Sequence, residues 1–146
     1  MHIHILGACG TFMGGVALLA KRAGHRVSGQ DQHTYPPMST QLESEGIELF
    51  EGYSPDCMEH ARPDLVVIGN ALSRGNPAVE YVLDNDIDYV SGPRWLGRNY
   101  LKGKKVIAVA GTHGKTSTSS MIAWILERAG MEPGFLIGGI PGNFGY

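Results

Sequence analysis

The sequence predicts an α/β fold: a mostly parallel sheet with flanking helices, followed by the first strand–loop–helix unit of a second domain. Three observations carry this. Short apolar, β-branched runs alternate with segments whose apolar residues recur at helical spacing. Glycine loops join strand to helix twice, at 7–15 and at 111–114. The alternation also restarts after a polar stretch, Leu101-Lys102-Gly103-Lys104.

The elements follow in order. Residues 2–6 form a short apolar run that stops at Gly7, a first strand. Residues 12–23 carry Phe12, Val16, Leu19, Ala20 and Ala23 on one helical face and stop at Gly24. Residues 26–31 read as a second strand ending on Asp31. Tyr35-Pro36-Pro37 breaks the chain, and 38–45 is a short helix closed by Gly46. Residues 47–50 give a third strand. Residues 65–68, Leu-Val-Val-Ile, give a fourth, apolar enough to be buried on both faces. Asn76-Pro77 offers an N-cap with proline at the first helical position, starting a helix to about residue 84. Residues 88–90 are a brief fifth strand, and a helix follows through Trp95. In the second unit, 106–110 is a strong strand and 134–137 begins another. Between them 115–129 is a helix striped by Met121, Ile122, Ile125, Leu126 and Ala129. The domains are therefore expected at 1–101 and 102–146, the second too short to bury a full core.

Composition narrows the function. The chain has 146 residues and a net charge of −2, without the basic face that nucleic acid requires. It has no run of about twenty apolar residues to span a membrane. Its first residues lack the layout of a secretory signal. Two cysteines, Cys9 and Cys57, make neither a disulfide framework nor a metal spacing, which suits a cytoplasmic protein. Glycine is abundant, 21 residues in clusters, as tight turns near phosphates require.

Gly7-Ala8-Cys9-Gly10-Thr11-Phe12-Met13-Gly14-Gly15 joins the first strand to the first helix. Such a loop lets backbone N–H groups approach a diphosphate, and Asp31 ends the second strand where an acid can meet a ribose. The spacing departs from G-x-G-x-x-G because Cys9 stands where the second glycine would be. A tight turn without a ligand fits the same residues, as does an NAD-binding module. The second loop, Gly111-Thr112-His113-Gly114-Lys115-Thr116-Ser117, lies between a β-branched segment and a striped helix. There free N–H groups can hold phosphate oxygens, Lys115 can neutralise β- and γ-phosphate charge, and the Thr116 hydroxyl can ligate Mg²⁺. Val109 replaces the first glycine of the full Walker pattern. A dehydrogenase has no use for this loop.

Gly-Thr-His-Gly-Lys-Thr after an apolar strand resembles the ATP loop of the Mur ligases. The first loop resembles the UDP-binding loop of that family's Rossmann-like N-terminal domain. Its wording, with Ile68-Gly69-Asn70-Ala71, Ser91-Gly92-Pro93 and residues 138–145, looks closer to the branch that joins a tripeptide than to the branch that joins alanine. The resemblance implies an ATP-dependent amide-bond ligase. It would couple L-alanyl-γ-D-glutamyl-meso-diaminopimelate to UDP-N-acetylmuramate through an acyl phosphate, in cell-wall recycling. It further implies that Gly7, Cys9, Gly10, Thr11, Phe12, Met13 and Gly14 cradle the UDP diphosphate, with Asp31 and Asn70 beside it. By the same resemblance Gly111, Thr112, His113, Gly114, Lys115, Thr116 and Ser117 hold ATP. Lys115, Thr116 and His113 would act on transferred charge and Mg²⁺. The remaining magnesium ligands and the amino-acid-binding domain would lie beyond Tyr146, so these residues alone are expected to show no turnover. A UDP-sugar-binding module without catalysis is a further reading, and an alanine-joining ligase is the rival within the family.

The other singled-out side chains have plainer expectations. His2, His4, His25, His33 and His60 show no ligand spacing and read as structural or solvated. Cys9 sits at a helix start, where a thiolate is favoured, but with no base partner it reads as a small loop residue. Trp95 and Trp124 read as core.

Overall fold

The computed structural model describes residues 1–138. The chain divides into two compact units, Met1–Gly103 and Lys104–Tyr146.

In the first unit, β1 (His2–Leu6) is buried along its whole length, as its apolar run requires. It lies at the middle of a five-stranded parallel sheet with β2 (Arg26–Asp31), β3 (Glu48–Glu51), β4 (Leu65–Ile68) and β5 (Tyr89–Ser91). The order is β3-β2-β1-β4-β5, so the winding reverses between β1 and β4. Period-2 alternation sends Ile3 and Ile5 to one face. There α1 (Thr11–Arg22), α2 (Met38–Ser44) and α5 (Gly92–Leu96) close over them with Val16, Ala20, Leu42 and Trp95. On the other face α3 (Pro55–Ala61) and α4 (Pro77–Asp84) bring Met58, Ala78, Val79 and Val82 against Leu6 and Val66. The α/β fold class expected from the sequence is the one observed: a parallel sheet with helices on both faces.

Local chemistry explains the ends of these elements. Asn76 Oδ1 accepts from the N–H groups of Ala78 and Val79 at 3.0 and 3.3 Å, and Pro77 opens α4. Ser54 Oγ and Pro55 start α3 in the same way, a helix the sequence reading missed. A π-helical turn, Gly97–Leu101, follows α5 and places the Tyr100 hydroxyl 2.6 Å from Leu19 O, to which it donates.

Polar residues also sit inside the sheet, and their hydrogen bonds determine one another. The Gln30 amide nitrogen donates to the carbonyls of Gly52 and Ser54, which fixes its oxygen toward His4 Nε2 at 3.0 Å. His4 therefore carries its proton on Nε2, and its Nδ1 accepts from Ser28 Oγ at 2.7 Å. Ser28 Oγ in turn accepts from His2 Nε2 at 2.8 Å, leaving His2 Nδ1 as a buried lone pair without a protein partner among the described residues. Burial pulls the His4 pKa down to about 4, so the ring is neutral. Both histidines are structural, as the absence of ligand spacing implied.

In the second unit, α6 (Lys115–Arg128) forms where the apolar stripe placed a helix. The expected strands at 106–110 and 134–137 do not form. A strand exists only as a partner in a ladder, and among the described residues no β-ladder includes either segment. Val106 and Ile107 remain exposed. Trp124 is also not core: it is 36% exposed, with the Arg128 guanidinium carbon 5.8 Å from the ring centre. Residues 139–145 of the motif at 138–145 lie outside the described residues. Among those described, no helix is long and apolar enough to cross a membrane.

Candidate functional site

The C-terminal ends of β1, β2, β3 and β4 surround a cleft of about 250 Å³. It opens where the winding reverses, the place at which open parallel sheets hold ligands. Its lining comes from the first glycine loop (Gly7, Cys9, Gly10, Met13), the ends of β2 and β3 (Asp31, Tyr35, Tyr53) and the turn after β4 (Gly69, Asn70, Ala71, Leu72). Glycine is needed at 69 because a Cβ there would lie 2.9 Å from Leu6 O. A larger hollow of about 430 Å³ lies between α3 and α4, lined by Met58, Glu59, Arg62, Pro63, Tyr81 and Ile87. Arg62 and Ile87 precede β4 and β5, so that hollow opens at the opposite edge of the sheet, away from the first glycine loop.

Hydrogen bonds sort the donors of the first loop. Gly7 and Ala8 donate to Gln30 O at 2.8 and 3.0 Å, and Gly10 donates to Gly7 O at 3.2 Å. Cys9 N–H donates to Asp31 Oδ2 at 2.7 Å. The loop is thus tied to the end of β2, with Gly7, Cys9 and Gly10 shaping it. The first turn of α1 follows at once. Gly10 offers no side-chain cap, the turn holds no acid, and no described residue accepts from the N–H groups of Thr11, Phe12 or Met13. Three donors and the positive end of the helix dipole are left for an anion. Gly14 lies one turn further on, packed against the Met38 side chain.

Asp31 holds Cys9 N–H on one oxygen and Gln32 N–H on the other, each at 2.7 Å. Its charge reaches two neighbours. Burial first, and then Asp31, push the Cys9 thiol pKa up, so Cys9 is a protonated thiol despite its place at a helix start. Burial and the same carboxylate push Tyr53 up to about 12. His33, two residues after Asp31, is exposed and pairs with Glu51 at 3.6 Å, outside the cleft lining. Gly69 and Ala71 line the cleft from the motif Ile68-Gly69-Asn70-Ala71, whereas Tyr35, Tyr53 and Leu72 line it although no motif marked them. Their shared signal is position, just beyond a strand's C-terminal end.

The second loop is described within its own unit. Gly114 caps α6 at φ +75°, a conformation natural to glycine, and the first turn of the helix again holds no acid. Lys115 Nζ folds back to donate to Gly111 O at 2.7 Å and Thr112 O at 3.1 Å. Residues 111–118, including His113, Thr116 and Ser117, are exposed. The ammonium therefore lies over the loop, beside the N-terminal amides of α6.

The model of the Mur ligase family, catalytic domain, matches residues 2–102. The UDP-N-acetylmuramate–L-alanyl-γ-D-glutamyl-meso-2,6-diaminoheptandioate ligase of Escherichia coli is 60% identical over 99% of this chain. The UDP-N-acetylmuramate–L-alanine ligase of a Psychrobacter species is 37% identical over 94%. The chain spans 31% and 28% of these relatives' lengths. Among solved structures, the UDP-N-acetylmuramate:L-alanyl-γ-D-glutamyl-meso-diaminopimelate ligase from Neisseria superposes with a TM-score of 0.94 at 55% identity. It covers 98% of this chain, which covers 44% of it. The UDP-N-acetylmuramate–alanine ligase of Thermotoga maritima gives 0.87 at 29% identity, over 98% of this chain and 33% of its own. A family match over more than two thirds of the chain, carried by the same parallel sheet, shows that the chain belongs to the Mur ligase family.

Proposed function

We propose that the chain is the nucleotide-binding portion of an ATP-dependent ligase that joins L-alanyl-γ-D-glutamyl-meso-diaminopimelate to UDP-N-acetylmuramate. The observation that carries the reading is the cleft at the β1/β4 reversal, beside three amides of α1 that no described residue accepts from. Thr11, Phe12 and Met13 would hold the UDP diphosphate. Gly7, Cys9, Gly10 and Gly14 would give the loop its path, and Asp31 and Asn70 would border the nucleotide. Greater identity to the tripeptide-joining relative, 60% against 37%, favours a tripeptide over alanine as the acceptor. Two free cysteines fit a cytoplasmic setting.

The loop 111–117 fits the triphosphate of ATP on its donor set: uncapped amides at Lys115, Thr116 and Ser117 behind Gly114, and one ammonium. Lys115 Nζ would leave the carbonyls of Gly111 and Thr112 to neutralise phosphate oxygens. His113 lies on the same loop. The Thr116 hydroxyl would give Mg²⁺ one oxygen ligand. No cluster of acidic, histidine or cysteine side chains among the described residues could hold the ion alone. ATP supplies the phosphoryl group that activates the muramoyl carboxylate for attack by the tripeptide amine.

Thermal unfolding with UDP-N-acetylmuramate, Mg-ATP or NAD tests the proposal. A ligand at a hundred times its Kd adds about 2.7 kcal/mol, a shift on the order of ten degrees for a unit of this size. Stabilisation is expected with UDP-N-acetylmuramate and with Mg-ATP, and Lys115→Ala should abolish only the second. A shift with NAD alone would overturn the reading.

A further inference from the structure

We propose that Tyr53 is a specificity-determining residue of the cleft, its hydroxyl meeting the nucleoside of the bound nucleotide. The inference rests on the UDP-binding reading above and deepens it.

The fold holds Tyr53 unusually firmly for a residue in a turn. Gln30 Nε2 donates to both flanking carbonyls, Gly52 O at 3.3 Å and Ser54 O at 3.0 Å, and Gly52 N–H donates to Asp31 O at 2.7 Å. Gln30 is itself oriented by His4, so the buried chain His2–Ser28–His4–Gln30 ends on the turn that carries Tyr53. The ring packs against the cluster around Leu6 and Met58, and the phenol lies against the Asp31 carboxylate and the Gln32 backbone in the cleft wall. A side chain locked by packing and by hydrogen bonds behind it suits a selective contact.

Chemistry at this end of the cleft says which part of the ligand comes here. The strand order β3-β2-β1-β4 puts Tyr53 beyond β2, away from the donors of α1 that suit phosphate. A diphosphate on α1 would send one of its two substituents this way. The muramate substituent bears a carboxylate. Among the described residues the cleft lining contains Asp31 and neither lysine nor arginine, so a second negative charge beside Asp31 is disfavoured. The nucleoside is neutral and rich in hydroxyl and carbonyl groups. Both Asp31 oxygens already hold backbone N–H groups. The phenol stays protonated at working pH with its proton directed at Asp31, which leaves its oxygen a lone pair to accept from a ribose hydroxyl or a base N–H.

Calorimetric titration of the protein and of Tyr53→Phe with UDP, UDP-N-acetylmuramate and pyrophosphate decides the matter. The variant keeps the ring and its packing, and an unchanged unliganded melting temperature verifies this. Affinity for UDP and for UDP-N-acetylmuramate should fall alike, on the order of tenfold, with pyrophosphate unaffected. Three results would overturn the proposal: unchanged UDP affinity, a loss confined to UDP-N-acetylmuramate, or an equal loss for pyrophosphate. If the unaltered protein binds none of the three, the site reading fails and takes this inference with it. If it binds them and Tyr53→Phe is indifferent, this inference fails alone.

Discussion

His4 is fully buried in the central strand, with each ring nitrogen engaged by a neutral partner. Its pKa lies at about 4 against an ordinary 6.5, because burial disfavours the imidazolium. The sign follows from proton uptake. Between those values the unfolded chain binds a proton that the folded chain refuses, so stability falls as pH drops from 6.5 toward 4 and is recovered above 6.5. The full difference amounts to about 3 kcal/mol. His2, also depressed by burial and then by Arg26, adds in the same direction. Urea unfolding followed by fluorescence reports this cleanly, since Trp95 is buried in the same unit. The midpoint should already fall between pH 6.5 and 5, before most carboxylates titrate. A flat midpoint over that range would mean that the His4 ring is hydrated or charged in the fold.

At the level of elements, capping can be tested most directly at α4. Asn76 satisfies two of the helix's first amides, so Asn76→Ala should cost about 1 kcal/mol, measured as a lower urea midpoint with an unchanged slope. That helix was readable because Asn76-Pro77 is a local signal. β2 and β4 were readable to the residue because a parallel strand buried on both faces is an apolar or compact run between breakers. α3 was not, although Ser54-Pro55 carries the same kind of signal. With only Met58 and Ala61 buried, seven residues give too short a periodicity to register. The segment 106–110 shows the opposite failure, since β-propensity describes a residue's fitness for a ladder and cannot supply the neighbouring strand. The cleft was half legible. Its glycine loop is contiguous in sequence, whereas Tyr35, Tyr53 and Leu72 come from three separate loops and meet only through the sheet order. Nor could the sequence tell which amides of the first loop would turn inward to Gln30 and Asp31, because that depends on the β1–β2 register.

Across the whole molecule the two units differ in what holds them. Met1–Gly103 has two apolar clusters, one on each face of the sheet, and a fully buried central strand. In α6 the one buried residue is Ala123, and Met121 and Ile125 are exposed. A helix of 14 residues with so little burial depends on its own backbone bonds, which are marginal at that length. Hydrogen exchange should therefore separate the units. The amides of Ile3, Ile5, Val66 and Val67 should open only with global unfolding of the sheet. Those inside α6 should exchange faster by on the order of a hundredfold, which corresponds to about 2.7 kcal/mol less protection. Mg-ATP should slow exchange at Lys115–Ser117 and along α6 while leaving β1 unchanged, because its phosphates would tie down the amides at that helix start. UDP-N-acetylmuramate should do the same at Thr11–Met13. Protection of α6 equal to that of β1 without any ligand would show that the Met121–Ile125 face is covered in solution, and the two-unit account of stability would then be wrong.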